Sequence, residues 1–207
     1  MKALVNEAAG RKTVVDRPDN VSQAVGKSAV GKPGKAGTAT GWSSDLTTRA
    51  GLLLHVRPVR PDDEAPLAHF FAHVTPKDLR FRFLGGVREV SHERLVAMTH
   101  VDHRLTENFL ALADGKIIVA TAMLACDASM DKAEVAISVR ADYKHKGVAW
   151  ELLRHVARYA QAKGIKALES IESRENLEAI ELEREQGFFA ESYPDDPTLM
   201  LIRKQLG

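Results

Sequence analysis

Val139-Arg140-Ala141-Asp142-Tyr143-Lys144-His145-Lys146-Gly147-Val148-Ala149 is the stretch that decides the reading of this chain. Before it, Glu134 to Val139 alternates as a strand does. After it, Val148, Leu152, Leu153, Val156 and Ala160 recur on one helical face, while Glu151, Arg154, Arg158 and Gln161 line another. The stretch therefore carries the chain from strand to helix through a short basic loop whose one glycine, Gly147, opens the helix. Unpaired backbone N–H groups and the positive end of the helix dipole make such a junction suited to an anion, and glycine lets a phosphate approach the backbone closely. A pyrophosphate fits that description. An ordinary strand-to-helix turn with a solvated basic patch fits it too, and these residues alone leave both open.

Working outward, the order of the remaining signals gives the class. Leu54, Val56 and Pro58-Val59 suggest a first strand, and Arg60-Pro61-Asp62-Asp63 a turn that starts a helix through Leu67, Phe70, Phe71 and Val74. Thr75-Pro76-Lys77-Asp78 restarts a shorter helix that ends at Gly85-Gly86, and Ser91-His92-Glu93-Arg94 opens another. Asn108 to Ala113 reads as a strand, Asp114-Gly115 as a hairpin turn, and Lys116 to Cys126 as the partner strand. Beyond the crossover helix, which Lys163-Gly164 closes, come a strand at Ala167 to Ile171, a helix at Glu175 to Gln186, and a terminal strand pair. A meander followed by a crossover is mixed α/β.

Composition sets the boundaries. The chain has 207 residues, one cysteine and a net charge of +1, so nothing in the bulk balance calls for nucleic acid or a membrane surface. Residues 1–50 hold eight Lys and Arg against four Asp and Glu, are broken by five glycines between Gly26 and Gly41, and show no sustained period. Burial there cannot offset about 1–2 kcal/mol per residue of backbone ordering, so a flexible, disordered tail is expected over 1–50 and a folded domain over 51–207. The lone Cys126, the lack of a run near the roughly 20 apolar residues of a membrane span, and the lack of a signal-peptide core point to a cytoplasmic protein.

Lys144, Gly147 and Ala149 are similar to the signature loop of the GNAT superfamily of N-acetyltransferases, which runs Arg or Gln, two residues, Gly, one residue, then Gly or Ala. Lysine at the first position departs from it but keeps the charge. Asn176-Leu177-Glu178-Ala179-Ile180 and Gly187-Phe188 resemble the family's closing motif. In that motif many members place a tyrosine, which protonates the departing CoA thiolate, seven residues after the asparagine; here that position is Glu183 and the proton donor is unassigned. Arg57 to Glu64, Phe70-Phe71, Leu79 to Phe83 and Ser91 to Leu95 look like the acetyltransferase domain of bacterial Pat-type protein lysine acetyltransferases, and the resemblance covers about residues 53–206. It implies a GNAT fold, with a mixed, mostly antiparallel central sheet flanked by helices. It also implies acetyl-CoA as co-substrate, held along Ile137 and Val139, by the loop Lys144, His145, Lys146, Gly147, Val148 and Ala149, and by Asn176.

An amine acceptor, with a lysine pKa near about 10.4, must lose a proton before it attacks a thioester. The Pat-like resemblance implies Glu134 as general base, and alternation sets Glu134, Ala136 and Ser138 on one face, away from Val135, Ile137 and Val139, with small neighbours leaving room for the reactants. Read alone, Glu134 is more readily a surface carboxylate at a strand end, and it is the motif around it that turns the reading. Asp102 and Glu107 are reserve bases. Cys126 is expected in the core, and His100-Val101-Asp102-His103 lacks further ligands at metal spacing, so no metal is expected. The Lys144-His145-Lys146 cluster has no aromatic stacking motif beside it, so no nucleic-acid partner is expected. Three functions stay open: acetylation of a protein lysine, acetylation of a small amine, and a silent acyl-CoA sensor.

Overall fold

The computed structural model describes residues 39–207. Strands β1 (Ser44–Thr47) and β2 (Leu53–Pro58) form an antiparallel hairpin, and helices α1 (Glu64–Phe71), α2 (Pro76–Phe83) and α3 (His92–Thr99) follow. Then come β3 (Thr106–Ala113), β4 (Ile117–Cys126), β5 (Lys132–Val139), the crossover helix α4 (Val148–Ala162), β6 (Ala167–Ser173), α5 (Leu177–Glu185), β7 (Phe189–Ser192) and β8 (Leu199–Gln205). The eight strands form one sheet in the order β1-β2-β3-β4-β5-β6-β8-β7, antiparallel everywhere except between β5 and β6.

Both faces of the sheet centre are covered, which explains why β3 and β4 read as continuous apolar runs. Phe109, Ala111, Ala122, Leu124 and Val135 pack towards α4 through Leu152, Leu153 and Val156. Leu110, Leu112, Met123 and Ala125 pack the other way, against Leu67, Phe70, Phe83 and Met98 of α1 to α3. The Asp114-Gly115 turn has φ values of 50° and 64°, both left-handed, and the Lys116 amide donates back to the Ala113 carbonyl. At the end of α2 the left-handed position falls on Leu84 (φ 47°), one residue before the glycines expected to stop it. Glu151 of α4 is also not on a solvated face: it is buried and held 2.8 Å from Arg154.

Arg57 of β2 locks the start of α1. Its guanidinium donates to both carboxylate oxygens of Asp63 at 2.7 and 2.6 Å, and the Arg60 amide adds a third bond. Burial opposes the Asp63 charge, yet these bonds hold the carboxyl below its ordinary range.

Residues 39–50 were expected to belong to the tail, but β1 pairs with β2 from Ser44 to Thr47 and buries Leu46. Trp42 sets its ring edge-on to Tyr159 of α4 at 5.1 Å. A four-residue strand carries almost no period of its own; it is ordered because β2 and α4 offer it a surface. The remainder of the expected tail, residues 1–38, lies outside the described residues.

Candidate active site

The site begins where two strands part. β5 pairs with β6 only from Lys132 to Glu134, against Ala167 to Glu169. Beyond that point β5 stays with β4 as far as Val139, while β6 stays with β8 as far as Ser173. A wedge opens between them. The Asp131 carbonyl accepts from β6-side amides, and the Arg140 amide donates to Val119 on β4. Alternation between those two fixed ends aims the backbone groups of Val135, Ile137 and Val139 into the wedge.

A cleft of about 250 Å³ occupies this wedge, lined by Val135 to Val139, the loop from Tyr143 to Trp150 except Lys146, and Ile171, Glu172, Asn176 and Glu183. Ala136 and Ser138, expected to leave room beside Glu134, both line this cleft, Ala136 partly packed against the α1 to α3 core and Ser138 buried.

The loop that closes the inner end of the cleft is shaped as its sequence requires. Gly147 caps α4 with φ 78°, so the α4 N-terminus meets the cleft in a conformation that disfavours any side chain. A Cβ there would also stand 3.3 Å from the Thr48 Cβ. The β1–β2 hairpin thus buttresses this loop, and its Arg49 lies 4.7 Å over the Trp150 ring at the cleft wall. Sequence reading had set that segment aside as tail.

Of the expected cofactor contacts, Ile137, Val139, Lys144, His145, Gly147, Val148, Ala149 and Asn176 come together in this cleft. Lys146 does not; it is exposed, with its ammonium 4.9 Å over the Tyr143 ring. Lys144 reaches across the mouth to Asp78 at 3.0 Å and Glu178 at 3.4 Å. Burial opposes its charge, but the two carboxylates hold the ammonium above its ordinary pKa. Asn176 donates 2.7 Å to Glu172.

A second, smaller cleft of about 170 Å³ lies beside the first, lined by Lys132, Glu134, Glu169, Ile171, Tyr193, Asp195 and Arg203 among others. Glu134 is buried in its wall. Its charge also reaches Arg82 and Glu172 of the first cleft. Glu134 lines the second cleft and its neighbour Val135 the first, while Ile171 lines both. Glu169 is neutralised by Arg203 at 2.6 Å and Lys132 at 3.8 Å.

Arg82 and Glu172 were missed from the sequence. Burial lowers the Arg82 guanidinium to about 10, while Glu134 and Glu172 favour its charge. The available signal was its place three residues after Leu79 and beside Phe83, on the apolar face of α2. The reserve bases line neither cleft. Asp102 accepts the amides of Arg104, Leu105 and Thr106, and Glu107 is buried 3.1 Å from His103. Cys126 is half-buried against the α4-side core, and burial pushes its thiol up to about 11.

A wedge with backbone groups along one edge, a glycine-capped helix N-terminus at its end and a neighbouring polar cleft holding a buried carboxylate fits an acyl-CoA-dependent transferase. The sequence profile described as the acetyltransferase (GNAT) family matches residues 77–188, and the chain belongs to that family. It is an acetyl-CoA-dependent N-acetyltransferase, and its acceptor is an amine. It is 29% identical over 154 residues to the acetyltransferase PA5475 of Pseudomonas aeruginosa, covering 73% of this chain and 83% of that one. Among solved structures it is similar to the GNAT domain of S. lividans PAT, with a TM-score of 0.76 and 25% identity over 80% of this chain and 98% of that one. The PaiA N-acetyltransferase of Thermoplasma acidophilum, solved with coenzyme A, shares the fold at a TM-score of 0.61, with 19% identity over 73% and 98% of the two chains.

Proposed function

We propose that this enzyme transfers the acetyl group of acetyl-CoA to the side-chain amine of a protein lysine, by direct attack in a ternary complex with Glu134 as general base. The observation that carries this reading is the position of Glu134 on the wall of the second cleft, one residue along β5 from Val135 at the start of the first: the first cleft suits the acyl donor and the second is open to an amine. The backbone N–H of Val139 is available to the thioester oxygen, where negative charge develops. Gly147, Val148 and Ala149 present amides and the helix dipole to the pyrophosphate, and Asn176 sits along the pantetheine path. Glu134 takes a proton from the arriving ammonium, directly or through a water, and the free amine then attacks.

A protein lysine is favoured over a small amine by the Pat-like residues Arg57 to Glu64 and Leu79 to Phe83, and by the likeness to the S. lividans PAT domain. Arg57 and Asp63, two of those residues, form the pair that fixes α1. The carboxylates of Glu134, Glu169 and Asp195 in the second cleft also suit a small polyamine, which is the competing reading. No described helix is long and apolar enough to cross a membrane, and a cytoplasmic site of action is part of this proposal.

The test is transfer from isotope-labelled acetyl-CoA into a lysate freed of its own acetyl-CoA, comparing wild type with Glu134→Gln and reading protein lysines and small amines by mass spectrometry. Label on a few protein lysines, lost in the variant, supports the proposal. Label confined to a small amine moves the acceptor to that class, and binding without any label leaves an acyl-CoA sensor.

A further inference from the structure

The basic loop before α4 brings little uncommitted positive charge to the first cleft. Lys144, its signature cation, is engaged by Asp78 at 3.0 Å and Glu178 at 3.4 Å. Lys146 is exposed and set over the Tyr143 ring. A helix N-terminus adds only roughly half an elementary charge, whereas coenzyme A carries a pyrophosphate and a ribose 3′-phosphate. The cation that remains comes from elsewhere in the chain. Arg49 stands in the β1–β2 turn, and among the described residues no carboxylate pairs with it. The turn is fixed by buried Thr48, whose amide donates to the Leu52 carbonyl at 2.9 Å, whose carbonyl accepts from Gly51 at 2.9 Å and whose hydroxyl accepts from the Leu52 amide at 3.2 Å. It abuts Gly147 directly: a Cβ there would lie 3.3 Å from the Thr48 Cβ and 3.6 Å from the Arg49 backbone nitrogen. The Arg49 guanidinium lies 4.7 Å over the Trp150 ring, and Trp150 is held in turn by the Gln186 side-chain amide, which donates 2.9 Å to its carbonyl.

We propose that Arg49 binds the ribose 3′-phosphate of coenzyme A, so that the β1–β2 hairpin distinguishes the complete cofactor from its dephospho form. This rests on the reading of the first cleft as the donor cleft. The hairpin precedes residues 77–188, the part matched by the family profile, so the contact belongs to this chain's own N-terminal segment. Trp150 follows Gly147 by about 4.5 Å of helix rise, which sets the guanidinium beside the amides of Gly147 to Ala149 rather than on them. Those amides serve the pyrophosphate, and the 3′-phosphate is the anion left without a partner. A planar guanidinium can keep one face on the indole while its edge donates to phosphate oxygens, which a lysine ammonium cannot do.

The experiment measures the affinity of the full chain for CoA and for 3′-dephospho-CoA by calorimetry, and kcat at saturating acetyl-CoA with poly-L-lysine and spermidine as acceptors. Wild type is expected to bind CoA about 10-fold more tightly than dephospho-CoA, as one charge-assisted contact would give. In Arg49→Ala, CoA affinity is expected to fall to the dephospho-CoA level, with dephospho-CoA affinity and kcat unchanged; Arg49→Lys should recover only part of the difference. Equal binding of the two cofactors by wild type, or an Arg49→Ala variant that weakens both equally or neither, overturns this inference alone. Unchanged CoA affinity in Gly147→Val overturns the donor-cleft reading and this inference with it.

Discussion

The two clefts flank one strand but are built differently. The first cleft, proposed for the donor, is made largely of backbone: the parted strands, the backbone groups of Ile137 and Val139, and the φ of Gly147. The second cleft is made of side-chain charge, with Glu134, Glu169, Asp195, Lys132 and Arg203 around Tyr193. Under the proposed reading, backbone geometry serves what every acyl-CoA has in common, its phosphates and amide-bearing arm. Side-chain charge can be exchanged without moving the sheet, so acceptor choice is the property most easily altered.

Glu134→Gln breaks this comparison most directly. It is expected to cost about 100-fold or more in kcat while leaving acetyl-CoA affinity unchanged, read by steady-state kinetics beside calorimetry. An equal loss of donor affinity would mean that Glu134 belongs to the donor cleft and that the division is wrong. Gly147→Val should do the reverse. Forcing a β-branched residue to φ 78°, with its Cβ 3.3 Å from the Thr48 Cβ, is expected to weaken acetyl-CoA binding about 10-fold or more, with strain of about 1–3 kcal/mol. The acceptor KM should move far less, as acetylation at saturating donor would show.

Asp63→Asn tests a region outside both clefts. Loss of the Arg57 ion pair is expected to cost about 2–3 kcal/mol at pH 7, seen as a lowered Tm. The Asp63 pKa is depressed in the fold, so its contribution is present above the ordinary carboxylate pKa and disappears as pH falls through the folded value. The gap in Tm between wild type and variant should therefore close at acid pH. The smallest effect is expected at Cys126: with its thiol at about 11, alkylation by iodoacetamide at pH 8 should be slow in the folded chain and become rapid in denaturant.

How far these features were legible differs residue by residue. Gly147 was readable because a strand, a glycine and an amphipathic helix in succession have few local solutions. Glu134 could be given a strand face, but its place at the last β5–β6 pair, where the strands part, depends on the pairing of segments distant in sequence. Lys144 read as a loop cation, yet its partners Asp78 and Glu178 come from α2 and α5, distant in sequence. β1 was unreadable because four residues carry too short a pattern to outweigh their glycine-rich surroundings.

By itself, then, the order of periodic segments determined a mixed α/β domain with a meander, a crossover and an anion-suited loop, because periodicity and turn chemistry act over a few residues. Only the tertiary structure decided the parted strands, the two clefts that meet at Ile171, and the buried company of Arg82, Glu172 and Glu183. Their charges meet through packing of elements far apart in the chain, and the desolvation that sets their protonation exists only once those elements close over them.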